Sequence, residues 1–286
     1  MLQEYTVKRI ILFCKRFGEI YSKSQATAIS AALSFYVTLT FFPMMICLYT
    51  LLGNNYDRLK RLLDFLEGFL PGNTVGFLEE FINYIAENNR PAMLIAGIIV
   101  LLTFSSSAIR QFHNFIGVMQ GGNKFSGFSF YVFSVIFSVI FLAAVYFAIL
   151  VMFTGENFLA WIETTFPFIE IPYDWKTIRY PLLGLVFFLF IQGLYSTSKR
   201  RTDMYSTALG SLLSTVNFVL ITMLFSMFIA KSGNYPLVYG SLASIVLFML
   251  WLYYCCQVIC IGAVFNIAVR DSRMERLRAE YDIESL

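Results

Sequence analysis

The clearest chemistry in this sequence lies near the end of a long apolar segment, where polar side chains recur at helical spacing. Steps of three and four residues place the following side chains on one helix face: Thr103, Ser106, Ser107, Arg110, His113 and Asn114. A cation in such a segment either reaches out to lipid headgroups or lines a polar cavity for an anionic group. We predict that Arg110, His113 and Asn114 lie on a polar path or at its inner mouth, where Arg110 and His113 contact an anionic group. Headgroup anchoring is the alternative role of Arg110.

Neutral polar residues in other apolar segments could line the same path. Asn217, Gln257 and Asn266 are the candidates for this lining. Two segments also carry hydroxyl stripes, formed by Thr27, Ser30, Ser34 and Thr38, and by Thr207, Ser211, Thr215, Thr222 and Ser226. Small and hydroxyl residues let membrane helices pack closely, so the stripes indicate either helix packing or a polar path. Pro43 removes a backbone hydrogen bond inside the first apolar segment and is a candidate hinge.

The sequence lacks the residue sets that catalytic and metal sites require. It contains one histidine and five cysteines, none of which forms a CxxC pair. Cys256 and Cys260 share a helix face but have no further ligand beside them, which favours a packing role. A P-loop and a GxSxG nucleophile motif are also absent. We therefore predict no catalytic residue, no metal, no cofactor and no enzymatic activity.

The composition identifies the solvent of this protein as a lipid bilayer. Of its 286 residues, 58% are hydrophobic and 14% are charged, against about 45–50% and about 25% in soluble domains. Runs of roughly 20 apolar residues are long enough for a helix to cross a bilayer. Six segments qualify: 26–52, 91–115, 128–153, 178–195, 205–230 and 239–269. The sequence thus predicts an all-α membrane protein with six transmembrane helices.

The distribution of basic residues predicts the orientation of these spans. With six spans, both termini lie on one side, and 14 of the 21 Lys and Arg residues lie on that side. Basic loops remain in the cytoplasm, so we predict cytoplasmic N and C termini. Anionic headgroups attract basic residues at this position. Membrane lipids are therefore the predicted partners, and nucleic acid is not.

Three segments outside the spans have patterns of their own. Residues 1–25 predict an amphipathic cytoplasmic helix, which either lies on the inner leaflet or packs on the end of the bundle. Residues 53–90 predict an outer hairpin of two amphipathic helices that is too short for its own core. Residues 270–286 predict a charged cytoplasmic tail. The domain is therefore 26–269, including the hairpin.

Two stretches of the sequence carry a resemblance to a known family. The first is the run Ser30 to Tyr36 followed by Pro43, and the second runs from Tyr239-Gly240-Ser241 through Trp251 to Gly262-Ala263 and Asn266. In order and spacing they resemble the first and last spans of the YihY/BrkB family of bacterial inner-membrane proteins. The resemblance covers roughly residues 20–270.

The resemblance implies six membrane helices, a location in the bacterial cytoplasmic membrane and transport of a lipid-like or small molecule. An older ribonuclease BN label of the family is at odds with the single histidine of this chain. Relatives often carry a glutamate after the Gly-Ala of the last span, where this chain has Val264. A titratable carboxylate at that position could couple transport to protons, and this chain lacks it.

Two functions follow from these observations. The leading hypothesis is a membrane protein that moves, or helps move, an amphiphilic or small substrate along a path among the first, second, fifth and sixth spans. The alternative is an envelope scaffold that does not transport and that binds partner proteins through the outer hairpin. A transporter predicts a polar cavity that reaches the inner surface, whereas a scaffold predicts a bundle packed throughout by small residues.

Overall fold

The computed structural model describes residues 2–51, 74–87, 91–120, 127–165, 175–196, 204–231 and 241–284. These residues form helices and contain no strand, which confirms the all-α class for the described part of the chain. The helices are α1 (Leu2–Ser24), α2 (Ala26–Leu51), α3 (Thr74–Glu87), α4 (Pro91–Met119), α5 (Phe128–Thr165), α6 (Trp175–Ser196), α7 (Met204–Lys231) and α8 (Ser241–Glu284).

Five of these helices contain segments that are long and apolar enough to cross a membrane. The segments are Ala26–Thr50, Pro91–Met119, Phe128–Phe147, Thr207–Phe228 and Ile245–Met274. The remaining predicted span corresponds to the apolar segment Pro181–Ser196 of α6, which is shorter. It falls below the roughly 20 residues that a bilayer core requires. The multi-pass architecture is therefore present, and the sixth crossing stays a prediction.

Six helices form a closed ring. In chain order, α2 packs on α4, α4 on α5, α5 on α6, α6 on α7 and α7 on α8, and α8 returns to α2. The outward faces of α5 and α7 are apolar and exposed, as in Val132, Ile136, Val139, Leu220 and Leu224. An aqueous protein rarely exposes such continuous apolar faces, whereas lipid is their natural surroundings.

The second helix of the predicted outer hairpin covers one end of the ring. It is α3, and its buried residues are Leu78, Ile82 and Ile85. They pack into a cluster with Met45 of α2 and Phe248 of α8. These three residues belong to the face that the sequence predicts to be apolar. The first half of the hairpin lies outside the described residues.

The N-terminal helix α1 packs along α8. Gln257 Nε2 donates a hydrogen bond of 2.7 Å to Tyr21 Oη, and the Phe13 and Phe265 ring centroids lie 5.6 Å apart. The later α1 residue meets the earlier α8 residue, so the two helices run in opposite directions. The turn from α1 into α2 is made by Gln25, whose φ is 54°. The apolar stripe of α1 therefore lies against the bundle.

Candidate functional site

A polar cavity lies beside Arg110 at the end of the bundle where α4 ends and α5 begins, here called the α4–α5 end. Its volume is about 310 Å³. It is lined by Tyr36 of α2, by Ser107, Arg110, Gln111 and Asn114 of α4, by Gly127 before α5, and by Phe130 and Tyr131 of α5. Apart from the aromatic rings and Gly127, its side chains are donors and acceptors of hydrogen bonds. The polar stripe that the sequence predicts on the second span is therefore partly turned toward one cavity.

Two contacts hold the Arg110 guanidinium at the cavity wall. Nη2 donates to Ser107 Oγ at 2.8 Å, and the guanidinium carbon lies 4.8 Å from the centroid of the Tyr131 ring. Ser107 Oγ in turn donates to Thr103 O at 2.8 Å. A planar guanidinium over an aromatic face retains donors at its edge. Arg110 is only half-buried, so an anionic group can reach it from the cavity.

The start of α5 brings Tyr131 to Arg110. Gly127 has a φ of 111°, a conformation that side chains other than glycine rarely adopt. Its carbonyl oxygen accepts a hydrogen bond of 3.3 Å from Tyr131 N, which begins the helix. A Cβ at Gly127 would have no atom within 4 Å. The backbone conformation, rather than lack of space, is therefore what requires glycine here.

His113 occupies different surroundings from Arg110 and Asn114. Its ring is buried, and Nδ1 lies 2.9 Å from Ile109 O, to which it donates as the Nδ1–H tautomer. The rings of Phe130, Phe133 and Phe137 pack edge-on around it at 5.6–6.1 Å. The structure thus brings two of the three predicted mouth residues, Arg110 and Asn114, to the cavity and places His113 in an aromatic cluster.

The neutral candidates of the predicted path lie apart from the Arg110 cavity. Asn217 Nδ2 donates to Leu213 O of its own helix at 2.8 Å. Gln257 binds Tyr21 of α1, as described above. Asn266 Oδ1 accepts a hydrogen bond of 2.9 Å from Gly210 N across the α7–α8 crossing. These three residues therefore serve contacts within and between helices in this state of the protein.

The crossing of α7 and α8 interlocks through glycines. A Cβ at Gly210 would overlap Asn266, and a Cβ at Gly262 would overlap Ser214. Gly210 and Ser214 are four residues apart on α7, as Gly262 and Asn266 are on α8. Each polar side chain thus fills the space that the opposite glycine leaves. Small residues permit this close approach of two membrane helices.

Helix α6 joins this crossing through hydrogen bonds that sequence reasoning missed. Tyr195 Oη donates to Ile259 O at 2.6 Å and lies 2.8 Å from Ser214 Oγ. Gln192 Nε2 donates to Thr207 Oγ1 at 3.0 Å, and Gln192 Oε1 accepts from Ser211 Oγ at 2.7 Å. The available signal was the spacing of four between small residues on α7 and α8. Tyr195 and Gln192 carried no such signal.

The hydroxyl stripe of the first span bonds to its own helix. Ser30 Oγ donates to Ala26 O at 2.7 Å, and Thr38 Oγ1 donates to Ser34 O at 2.8 Å. Pro43 lies within the continuous helix α2 and is buried, close to Gly97 of α4. A hinge at Pro43 stays a prediction. Within the described residues, no group of three His, Cys, Asp or Glu side chains could hold a metal ion.

Val264 is fully buried in the main apolar core, together with Cys260 of α8 and Ile191 of α6. A carboxylate at this position would lie among apolar neighbours, at a large desolvation cost. The valine therefore serves packing in this chain.

A family model described as Virulence factor BrkB matches residues 18–283. This match covers most of the chain and confirms the resemblance drawn from the first and last spans. No match was found among curated proteins or among solved structures.

Proposed function

The chain belongs to the family described as Virulence factor BrkB, and on that premise we propose that it moves, or helps move, a substrate with an anionic group across a membrane. The substrate class is an amphiphile or a small molecule. The membrane is the bacterial cytoplasmic membrane, with both termini in the cytoplasm, and the role is not enzymatic. The observation that supports this proposal most directly is the half-buried Arg110 at the wall of a polar cavity.

The cavity fits an anionic head group in size and in chemistry. A volume of about 310 Å³ lies at the lower end of known ligand pockets. Arg110, Gln111 and Asn114, whose side chains carry hydrogen-bond donors, all line it. Charge-assisted hydrogen bonds from a guanidinium to phosphate or carboxylate are about twice as strong as neutral ones. The Tyr131 contact fixes the guanidinium before the ligand arrives, which lowers the entropic cost of binding.

An apolar surface continues from the cavity along α5. Phe130 and Tyr131 form part of the cavity wall, and Phe128, Val132 and Ile136 on the same helix are exposed. A molecule with a polar head and an apolar tail could place its head against Arg110 while its tail stays in the lipid along α5. This continuity favours an amphiphilic substrate over a fully water-soluble one.

The experiment that tests this proposal is a translocation assay with purified protein in vesicles. Fluorescent phosphatidylglycerol and phosphatidylcholine analogues would be compared, and a membrane-impermeant reductant would report how fast each analogue changes leaflet. We expect the protein to accelerate the anionic analogue more than the zwitterionic one. Arg110→Ala should slow the anionic analogue by about tenfold, the effect of losing one charge-assisted hydrogen bond.

Two further variants make the assay specific. Arg110→Lys keeps the charge but loses the planar fork, so we expect an intermediate rate. Lys15→Ala removes an exposed cation from α1 and should leave the rate unchanged. An equal rate for Arg110→Ala and the unaltered protein, in samples that are equally folded, would reject the Arg110 cavity as a substrate site.

A scaffold is the second candidate, and the interlocked α7–α8 crossing favours it. Asn266 Oδ1, Ser214 Oγ and Tyr195 Oη form hydrogen bonds between helices, as a packed bundle requires. Single cysteines at Ser34, Ser107, Asn217 and Asn266, in protein without native cysteines, would be tested with an impermeant thiol reagent. Reaction at Ser107 together with a second site would support a water-filled path. If none of the four cysteines reacts in folded protein, the scaffold is favoured.

A further inference from the structure

A second, much smaller cavity lies at the α4–α5 end, between four helices of the ring. Its volume is about 20 Å³, which is room for one small ligand such as a water molecule or a monoatomic ion. The wall includes Gln120 of α4, Tyr195 of α6, Thr207 of α7, and Asn266 and Arg270 of α8. The Arg110 cavity has walls from α2, α4 and α5 instead. The two cavities therefore present different residues to a ligand.

Two buried donors at this small cavity have no hydrogen-bond partner within the described part of the chain. They are Asn266 Nδ2 and Arg270 Nη1. Asn266 is 7% exposed, and the Arg270 side chain is 12% exposed. The two residues are four apart on α8, so their side chains are neighbours on one helix face. A buried donor without an acceptor is costly, and two beside one cavity indicate a common ligand.

The other polar atoms of these two side chains already form hydrogen bonds, so only one group on each is left for a ligand. Asn266 Oδ1 accepts from Gly210 N, and a flipped amide would place a donor against that N–H. Arg270 Nε and Nη2 both donate to Asp271 Oδ1, at 3.3 Å and 3.0 Å. The free groups are therefore an amide NH₂ and one NH₂ of a guanidinium. A ligand here has to accept hydrogen bonds.

The charges around the cavity favour an anion. The Asp271 carboxylate also lies 3.8 Å from Arg16 Nη2 of α1, so its negative charge is not directed at Arg270 alone. Buried donors and a nearby cation stabilise negative charge strongly where water is excluded.

We infer that this cavity binds one monoatomic anion of the size of chloride between Asn266 Nδ2 and Arg270 Nη1. The anion completes the hydrogen bonding of two helices at their crossing, because Asn266 also binds Gly210 of α7. It thereby stabilises the packing of α8 against α7. This site is independent of the substrate proposal, since it uses neither Arg110 nor the cavity beside it.

The test is the thermal stability of the purified full-length protein as chloride or bromide replaces gluconate at constant ionic strength. We expect the unfolding midpoint to rise with halide concentration and then to level off, as binding to the folded state requires. Arg270→Gln should weaken the apparent halide affinity by at least about tenfold, the effect of losing a charge-assisted hydrogen bond. Arg273→Gln, at an exposed residue of the same helix, is the control and should leave the affinity unchanged.

Asn266→Asp separates binding from folding. The aspartate retains an acceptor for Gly210 N and replaces the free donor by an oxygen beside Arg270. We expect this variant to fold and to show no difference between chloride and gluconate. In the unaltered protein, equal midpoints in both salts would show that water suffices and would overturn the inference. Stabilisation by phosphate but not by halide would also overturn the assignment to a monoatomic anion. In crystals grown with bromide, an anomalous peak beside Asn266 and Arg270 is expected.

Discussion

The Arg110 cavity and the α7–α8 crossing are built from similar residue types but use their polar groups differently. At the crossing, Asn266 and Ser214 each fill the space above a glycine and bond the facing helix. At the cavity, Arg110 donates a hydrogen bond to Ser107 of its own helix and lies over the Tyr131 ring. Apart from Asn266 Nδ2, these side chains of the first region use their polar groups for packing, whereas Arg110 retains donors toward an open space. Polarity inside a membrane protein therefore marks a binding site only where neighbouring helices leave room.

The largest expected effect comes from filling the glycine space at the crossing. Gly262→Val should lower the free energy of unfolding by about 3 kcal/mol, because the new side chain overlaps Ser214 and Tyr195. Gly184→Ala is the control, since a Cβ there meets no atom within 4 Å. Thermal or denaturant unfolding in detergent measures both variants. Equal stability of Gly262→Val and the unaltered protein would show that the crossing is not tightly packed.

Removing one hydroxyl from the same region should have a smaller effect. Tyr195→Phe removes the hydrogen bonds of the Tyr195 hydroxyl with the buried Ile259 O and Ser214 Oγ, which together contribute about 1–3 kcal/mol to the free energy of unfolding. Tyr254→Phe, at an exposed position on α8, should change stability little. If both variants unfold alike, the Tyr195 hydroxyl does not hold α6 to α8.

A substitution at the Arg110 cavity should reduce function and leave stability unchanged. Tyr131→Leu removes the ring beneath Arg110, a contact of about 0.5–1 kcal/mol at exposed sites. We expect translocation of the anionic analogue to slow by about twofold to fivefold, with the unfolding midpoint unchanged. Tyr131→Phe retains the aromatic face and should remain close to the unaltered rate. Equal translocation rates of the leucine and phenylalanine variants would show that the Tyr131 ring does not contribute to the site.

The smallest effect is expected at Asn217, whose amide bonds only its own helix among the contacts described. Asn217→Ala should change the free energy of unfolding by less than about 0.5 kcal/mol. Asn266→Ala, which removes the acceptor of Gly210 N, should cost more. If the Asn217 variant is the less stable of the two, Asn217 has a role that its hydrogen bond does not explain.

The sequence pattern predicted the helices well, because the formation of each helix depends on residues that are close together in the chain. Apolar length identifies the spans, and the spacing of Leu78, Ile82 and Ile85 identifies the face of α3 that packs. The same reasoning grouped Arg110, His113 and Asn114 by spacing alone. It could not separate them, because His113 packs on Phe130, Phe133 and Phe137 of a different helix.

The sequence by itself determined a membrane-embedded helical protein, its family and the polar stripe near Arg110, because hydropathy and helical spacing are local properties. Only the tertiary structure decided which polar groups form hydrogen bonds between helices and which remain open to a ligand. Gly210 and Asn266 are 56 positions apart, and Tyr21 and Gln257 are 236 positions apart. Whether such residues meet depends on how each helix is rotated and tilted against its neighbours, and that is set by the packing of the whole ring.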